Sequence, residues 1–352
     1  MSRPGALLYA LTVLLLRVWI SSAQACSGTY PDAATASGLC VAQFAQGLQK
    51  PRGMWVASNE DVLVVERDSS RVSVLWDGDG DGASSESERA VLAEATGLNH
   101  GIAVAFGSLY ASSDTVVYRW AYTEGTRSHL GSPTTVVHSM NADGNGGAPQ
   151  GHWSRTLAID SQRRLYISIG SYSNVDSSSY RARIRRFLLD DIPDGGMAFE
   201  SGEVFADGLR NEVGLAFDAN GTLWGVENGA DNLYRADLGG DIHNDNPAEE
   251  LNRFPEAQAG AHYGYPYCFS EYLLPEEASR GPGAQFAWPS FMGDGVHSDE
   301  WCRANAVPPV LAMQAHSAPL GISFFQGPCA DLASGAFDCD LLGDAFVGFH
   351  GR

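Results

Sequence analysis

One pattern limits the fold of this chain more than any other: a short apolar strand, a tight polar turn, and a second strand running back. RGMWVASNEDVLVVERDSSRVSVLW carries it from Arg52, HGIAVAFGSLYASSDTVVYRWAY from His100, and SRTLAIDSQRRLYISIG from Ser154. VGLAFDANGTLWGVENGADNLYRADL carries it from Val213, and LGISFFQG with GDAFVGFHG from Leu320. In the first four a third strand is read after the second. The starts lie roughly 50 to 60 residues apart, except for the last gap, which is about twice that. Strands this short, broken by Gly, Asn and Asp turns, argue for an all-β chain. Repeated multi-stranded units of this kind argue for a β-propeller. The expectation is a six-bladed propeller of which five units are visible. The sixth is either degenerate between about 240 and 310 or beyond Arg352; the chain stops straight after an apolar strand, which favours the second. No segment of helical period is read beyond the N-terminal stretch.

Residues 1–25 read as a secretory signal: Arg3 as a basic start, ALLYALTVLLL as the apolar stretch, and Ala23-Gln24-Ala25 as the cleavage site. Arg17 makes the apolar run too short for a permanent membrane span, and no other segment is long enough. This leaves 26–352 as one propeller domain, C-terminally incomplete, exported to the extracellular space, or to the periplasm in a bacterium. Six cysteines behind an export signal suggest disulfides, and nearness in sequence favours 26–40, 268–302 and 329–339. Asn220-Gly221-Thr222 is a glycosylation sequon in a predicted exposed turn. A net charge of −20, from 42 acidic against 22 basic residues, argues against nucleic acid or anionic membrane as partners.

In a propeller blade the first strand lies nearest the axis and the second returns antiparallel to it. Residues just before strand one and just after strand two therefore share one face. In the fourth repeat these are Arg210-Asn211 and Glu227-Asn228-Gly229. The other repeats bring Arg52, His100, His152 with Arg155, and His316-Ser317 to the same face. Each alone reads equally as a blade cap. Together, His and Arg gathered around one mouth read as a site for an anionic or polar ligand.

Three constellations carry candidate chemistry. Asp77 to Glu88, DGDGDGASSESE, matches the calcium-loop pattern, but its flanks read as strands and Ser84 stands at an apolar position; a solvated acidic loop is the alternative. His152, three residues before Arg155 in GHWSRTLAID, is a candidate general base. The stretch from Asn228 to Asn252 is rich in oxygen ligands: the carbonyls of Gly229 and Ala230, with Asp241, Asp245 and Glu250 nearby, suit a hard cation or simply a polar loop. No strand-linked GxGxxG, phosphate loop, GxSxG elbow or HExxH helix is present, which argues against nicotinamide and ATP enzymes.

At GLNHGIAV, GHWSRTLAID, DGLRNEVGLAFD, LWGVENGAD, ELNRF with HYGYPYC, AHSAPLGISFF and GDAFVGFHG, in that order over roughly residues 45–352, the chain resembles the soluble pyrroloquinoline quinone-dependent sugar dehydrogenases. L-sorbosone and fungal pyranose dehydrogenases are the nearer branches. The resemblance implies a six-bladed propeller holding pyrroloquinoline quinone and Ca²⁺ at the funnel. It implies His152 as the base and Arg210 as the group that stabilises charge on the quinone oxygen. It places Asn211, Asn228, His316 and His350 with Arg210 among the cofactor-binding groups, and the carbonyls of Gly229 and Ala230 on the calcium. The implied activity is oxidation of an aldose, pyranose or sorbosone-like sugar, with electrons leaving to a cytochrome or quinone. The chain departs from the family in ending at Arg352, where relatives continue with further cofactor contacts, and in carrying Trp153 after the base, where smaller residues are common. Two rivals share the fold: an extracellular binding module like the Hedgehog-interacting proteins, and a calcium-dependent lactonase.

Overall fold

The computed structural model describes residues 41–329 and 337–351. The expected signal and Cys26–Cys40 lie outside them. The chain divides into two units. In the smaller, the described residues are 41–42, 327–329 and 337–340, with Cys329 bonded to Cys339. The larger, residues 43–326 and 341–352, carries the repeats.

The first repeat folds as one antiparallel sheet of β1 (Pro51–Val56), β2 (Val62–Glu66), β3 (Arg71–Leu75) and β4 (Arg89–Glu94). The second holds β5 (Ile102–Ala105), β6 (Ser108–Ser112), β7 (Val117–Ala121) and β8 (Thr134–His138). The third holds β9 (Arg155–Ile159), β10 (Arg164–Ile169) and β11 (Arg183–Leu188); β12 (Met197–Ala198) then crosses back to pair parallel with β8, and β13 (Glu203–Asp207) completes the sheet. The fourth opens with β14 (Glu212–Phe217) and β15 (Leu223–Glu227). A small pair, β16 (Tyr234–Arg235) with β17 (Gly240–Asp241), stands before its third strand, β18 (Glu249–Phe254). An excursion follows: β19 (Ala261–His262), which joins the third sheet beside β13, then β20 (Cys268–Ser270) paired with β21 (Gln285–Ala287), and the helix α1 (Asp299–Asn305). The chain re-enters the fourth sheet as β22 (Leu311–Met313) and ends in the hairpin β23 (Pro319–Phe324) with β24 (Ala345–Phe349). The described residues thus form an all-β, propeller-like fold of four complete blades and one two-stranded repeat.

Local chemistry sets the hairpins. Asp218 Oδ1 accepts from the amides of Asn220 and Thr222, both at 2.9 Å, closing the turn that exposes the sequon. Asp160 closes the turn between β9 and β10 in the same way. Second strands are almost wholly buried beside the gaps between neighbouring blades. Three apolar clusters fill those gaps: Leu63, Leu92 and Trp120 between blades one and two, Ile167, Val137 and Phe199 between two and three, and Tyr166, Phe205 and Phe254 between three and four. At the axis the inner strands approach backbone to backbone. A Cβ on Gly53 would stand 2.0 Å from the His100 carbonyl oxygen, and one on Gly101 2.2 Å from that of Arg155.

Two expectations change. The third strand of the fourth repeat is not LYRADL but Glu249–Phe254, because Leu233 and Leu238 turn into a separate apolar cluster under the excursion. The segment from about 240 to 310 forms no blade of its own among the described residues, in keeping with the favoured reading; its strands serve blades three and four or pair locally. The chain also has a helix where none is read. At seven residues α1 is too short to show a period; the Ser298 side chain, which accepts from the Trp301 amide at 3.1 Å, and the Cys268–Cys302 disulfide fix it. Ser298→Ala is expected to lower stability by about 1 kcal/mol, read as a shift in the chemical denaturation midpoint with unchanged slope.

Candidate active site

Main-chain hydrogen bonds join the open ends of blades three and four. The His152 amide donates to Ser171 O at 3.0 Å, and the Ser171 amide donates to Arg210 O at 2.8 Å. The Asn228 amide then donates to Asn211 O at 3.1 Å. The expected groups of these blades are therefore gathered. Arg210 reaches the carbonyl oxygens of Asn228 at 3.1 Å and Gly229 at 2.7 Å through Nη1, and those of Asn174 through Nε and Nη2. Asn211 Nδ2 donates to Asn228 Oδ1 at 3.0 Å, and Asn228 Nδ2 to Pro319 O at 2.8 Å, which ties in the last hairpin.

His152 is fixed through one ring nitrogen. Its Nδ1 lies 3.0 Å from both Ser171 O and Ser171 Oγ, and that hydroxyl donates to Ser173 O. Both neighbours of Nδ1 therefore need its proton, which leaves the Nε2 lone pair free. Burial, and then the Arg210 charge, push the imidazole pKa down to about 4, so the ring is neutral near pH 7.

Other expected groups are placed differently. Arg155 is fully buried and spends its guanidinium on Asp114 O, His152 O, Ser154 O, Gly146 O and Asn141 Oδ1, so it braces loops. His100 is buried with Nε2 3.3 Å from Val213 O. His316 is exposed and turns its Nε2 to His243 O at 2.7 Å, and the His350 amide donates to Ala318 O. Asp241 pairs with His243, away from Glu250. The Asp77, Asp79 and Asp81 carboxylates come within 4.8 Å of one another on the surface, where Asp77 accepts from the amides of its own loop.

Sequence reasoning missed four parts of this arrangement. Ser171 follows β10 as Asn228 follows β15, so the strand-end rule applied to the third repeat finds it. Gly170 is needed because a Cβ there would lie 2.6 Å from both His152 Cβ and Asn211 Oδ1. Tyr265 accepts from the Asp176 amide at 2.7 Å and donates to Asn174 O at 3.2 Å, holding the loop against Arg210. Beneath Arg210 lies a ladder of carboxyl groups: Glu212 pairs with Glu227 and Glu227 with Glu250 across three strands, and all are buried. Asn252 Nδ2 lies 3.2 Å from Glu227 and Glu250 and 3.5 Å from Glu212. Burial, and then mutual repulsion, hold the Glu212 and Glu227 carboxyls well above the usual range. Glu227 Oε1 also accepts from the Arg210 amide, so the ladder is tied to the main chain at Arg210.

The donors suit the groups implied at the funnel. Of the carbonyls expected on calcium, that of Gly229 accepts from Arg210 Nη1, as does that of Asn228; neutral oxygen donors of this type are what a hard cation takes. A guanidinium, two carboxamides and an imidazole around them suit an anionic quinone.

A family model described as TrAA12-like matches residues 33–352. The chain is 33% identical over 307 residues to the pyrroloquinoline quinone-dependent pyranose dehydrogenase of Coprinopsis cinerea, a match that covers 83% of this chain and 40% of that protein. It is 33% identical over 349 residues to the pyrroloquinoline quinone-dependent sugar dehydrogenase of Hypocrea jecorina, covering 91% of this chain and 77% of that one. The calcium structure of the Trichoderma reesei carbohydrate-active enzyme of family AA12 matches with a TM-score of 0.74 at 32% identity, over 85% of this chain and 76% of that one. The chain thus spans 40% of the length of the Coprinopsis protein it matches. With the family model spanning both halves of the mouth, from His152 to Asn228, the chain belongs to the TrAA12-like family, alongside the pyrroloquinoline quinone-dependent pyranose and sugar dehydrogenases.

Proposed function

We propose that this chain is the sugar-oxidising propeller of a secreted quinoprotein dehydrogenase, acting on an aldose, pyranose or sorbosone-like sugar. The observation that carries the reading is the neutral His152 with Nδ1 held by Ser171 and Nε2 left free, beside the Arg210 guanidinium. His152 Nε2 takes the proton of the sugar hydroxyl while a hydride leaves the same carbon, giving a lactone or keto sugar. Pyrroloquinoline quinone, when bound, supplies the two-electron acceptor for that hydride. Arg210 fixes a positive charge at the mouth, which keeps His152 unprotonated and stabilises negative charge that develops nearby. Asn211, Asn228, His316 and His350 belong with Arg210 to the set that would hold the quinone, and the Gly229 and Ala230 carbonyls to the calcium site. A cytochrome or quinone outside the chain collects the electrons. The six-bladed ring expected from the repeats is part of this proposal.

The test is titration of the purified chain with pyrroloquinoline quinone, with and without Ca²⁺, followed by absorbance and thermal shift. Calcium-dependent binding is expected, and Arg210→Gln weakens it by about tenfold or more, as loss of a charge-assisted hydrogen bond of about 1.5–3 kcal/mol implies. Absence of binding at any calcium concentration would overturn the reading in favour of a non-enzymatic propeller.

A further inference from the structure

A cleft of about 370 Å³ opens beside the candidate base, within the ~300–1,000 Å³ typical of small-ligand sites. Lys50, Arg67 and Asp68 of blade one, Asn99 and Asp114 of blade two, and Trp153 ahead of blade three line it. Arg67 follows β2, Asp114 follows β6, and Asn99 and Trp153 precede inner strands, so the cleft lies on the same face as His152. It is separate from the cofactor groups, none of which lines it.

Its chemistry is specific. The Arg67 guanidinium lies 5.1 Å from the centre of the Trp153 ring. Lys50 Nζ stands 2.9 Å from Asp68, and Arg67 Nε 3.6 Å from it. Asp114 Oδ2 accepts from Asn141 and from the Ala148 amide. Asn99 is 2% exposed; its Nδ2 donates to Trp153 O at 3.0 Å, and its Oδ1 has no partner among the described residues. The lining offers two cations and two carboxylates, so the charges cancel and a neutral ligand is favoured over an anion. An indole with paired hydrogen-bond donors and acceptors around it matches a ring that has an apolar face and a hydroxylated rim. That description is a saccharide.

His152 and Trp153 are adjacent, yet their side chains diverge: the imidazole turns to Ser171, the indole to Arg67. A ligand that reaches both is longer than one sugar ring. We propose that the cleft binds a second ring of the substrate, so that the preferred substrate is a neutral saccharide of at least two linked units, one at His152 and the next against Trp153. The placement of the first ring rests on the dehydrogenase reading; binding of the second does not.

The experiment compares a panel of neutral disaccharides with glucose and glucuronate, by saturation-transfer NMR on the cofactor-free chain and by kcat/KM on the chain loaded with pyrroloquinoline quinone and Ca²⁺. At least one disaccharide is expected to exceed glucose about tenfold in both readouts. Trp153→Ala and, separately, Asp68→Asn bring that ratio to about one, with melting temperatures confirming that each variant folds. Equal ratios for disaccharides and glucose in the parent chain, a ratio untouched by both variants, or preference for glucuronate would each overturn the proposal. Disaccharide binding that depends on Trp153, in a chain that binds no quinone, would sink the dehydrogenase reading and leave the saccharide cleft standing. Turnover without disaccharide preference would do the reverse.

Discussion

Replacing His152 with alanine lowers the sugar-oxidation rate by about 10²–10⁴-fold, the range for loss of a positioned general base, while calcium-dependent cofactor binding persists. The two readouts separate because the imidazole contacts Ser171 of blade three, whereas the Gly229 and Ala230 carbonyls proposed for calcium follow β15 of blade four. The pH profile of the parent chain gives a second check. An ordinary histidine would switch the reaction on near pH ~6.5. Burial and the Arg210 charge place this one at about 4, so the acid limb of kcat/KM is expected near pH 4. A limb near 6.5, or a variant that keeps its activity, would remove His152 from the chemistry.

The glutamate ladder leads to the other large effect. Glu250 is buried beside Ser270 and Asn252, and burial, only partly offset by those two hydrogen bonds, pushes its carboxyl up to about 7. Its folded pKa is thus raised above the unfolded value. Its contribution to stability is fully present below about pH 4.3, the unfolded value, and is lost as pH rises through about 7. Glutamine keeps the shape and cannot ionise. Glu250→Gln is therefore expected to match the parent near pH 4 and to be more stable by about 3 kcal/mol at pH 8. Denaturant melts at the two pH values measure the difference. A difference is needed, because the buried neutral His100 and His152, each at about 4, act in the opposite sense on the parent curve. A glutamine variant weaker than the parent at pH 8 would overturn the raised value of the Glu250 carboxyl.

The repeats were legible because a propeller writes its unit into the chain several times, and the strand-end rule carried from repeat to site. That rule placed His152, Arg210, Asn211 and Asn228 on one face, and the hydrogen bonds between Ser171, Arg210 and Asn228 join them. A position at a strand end does not fix where a side chain turns: Arg155 turns to the loops behind, and His100 to the Val213 carbonyl of β14. The ladder was hidden for another reason. Glu212, Glu227 and Glu250 are scattered in sequence and meet only through strand register, with the loop of β16 and β17 between the last two. The cleft draws on residues of three blades that lie far apart in sequence. The small helix escaped because its stability comes from a cap and a disulfide rather than from an apolar stripe.

The reactive mouth and the cleft are built from different materials. Amide-to-carbonyl bonds hold residues 152, 171 and 210 in line, and these bonds survive most changes of side chain. The polar groups of the cleft are side chains: Lys50, Arg67, Asp68, Asn99 and Asp114 around the Trp153 indole. On the reading proposed above, substitutions there retune which saccharide is accepted without moving the groups assigned to the oxidation. Such a scaffold is evolvable: descendants of one ancestor can diverge in diet while inheriting the same reaction.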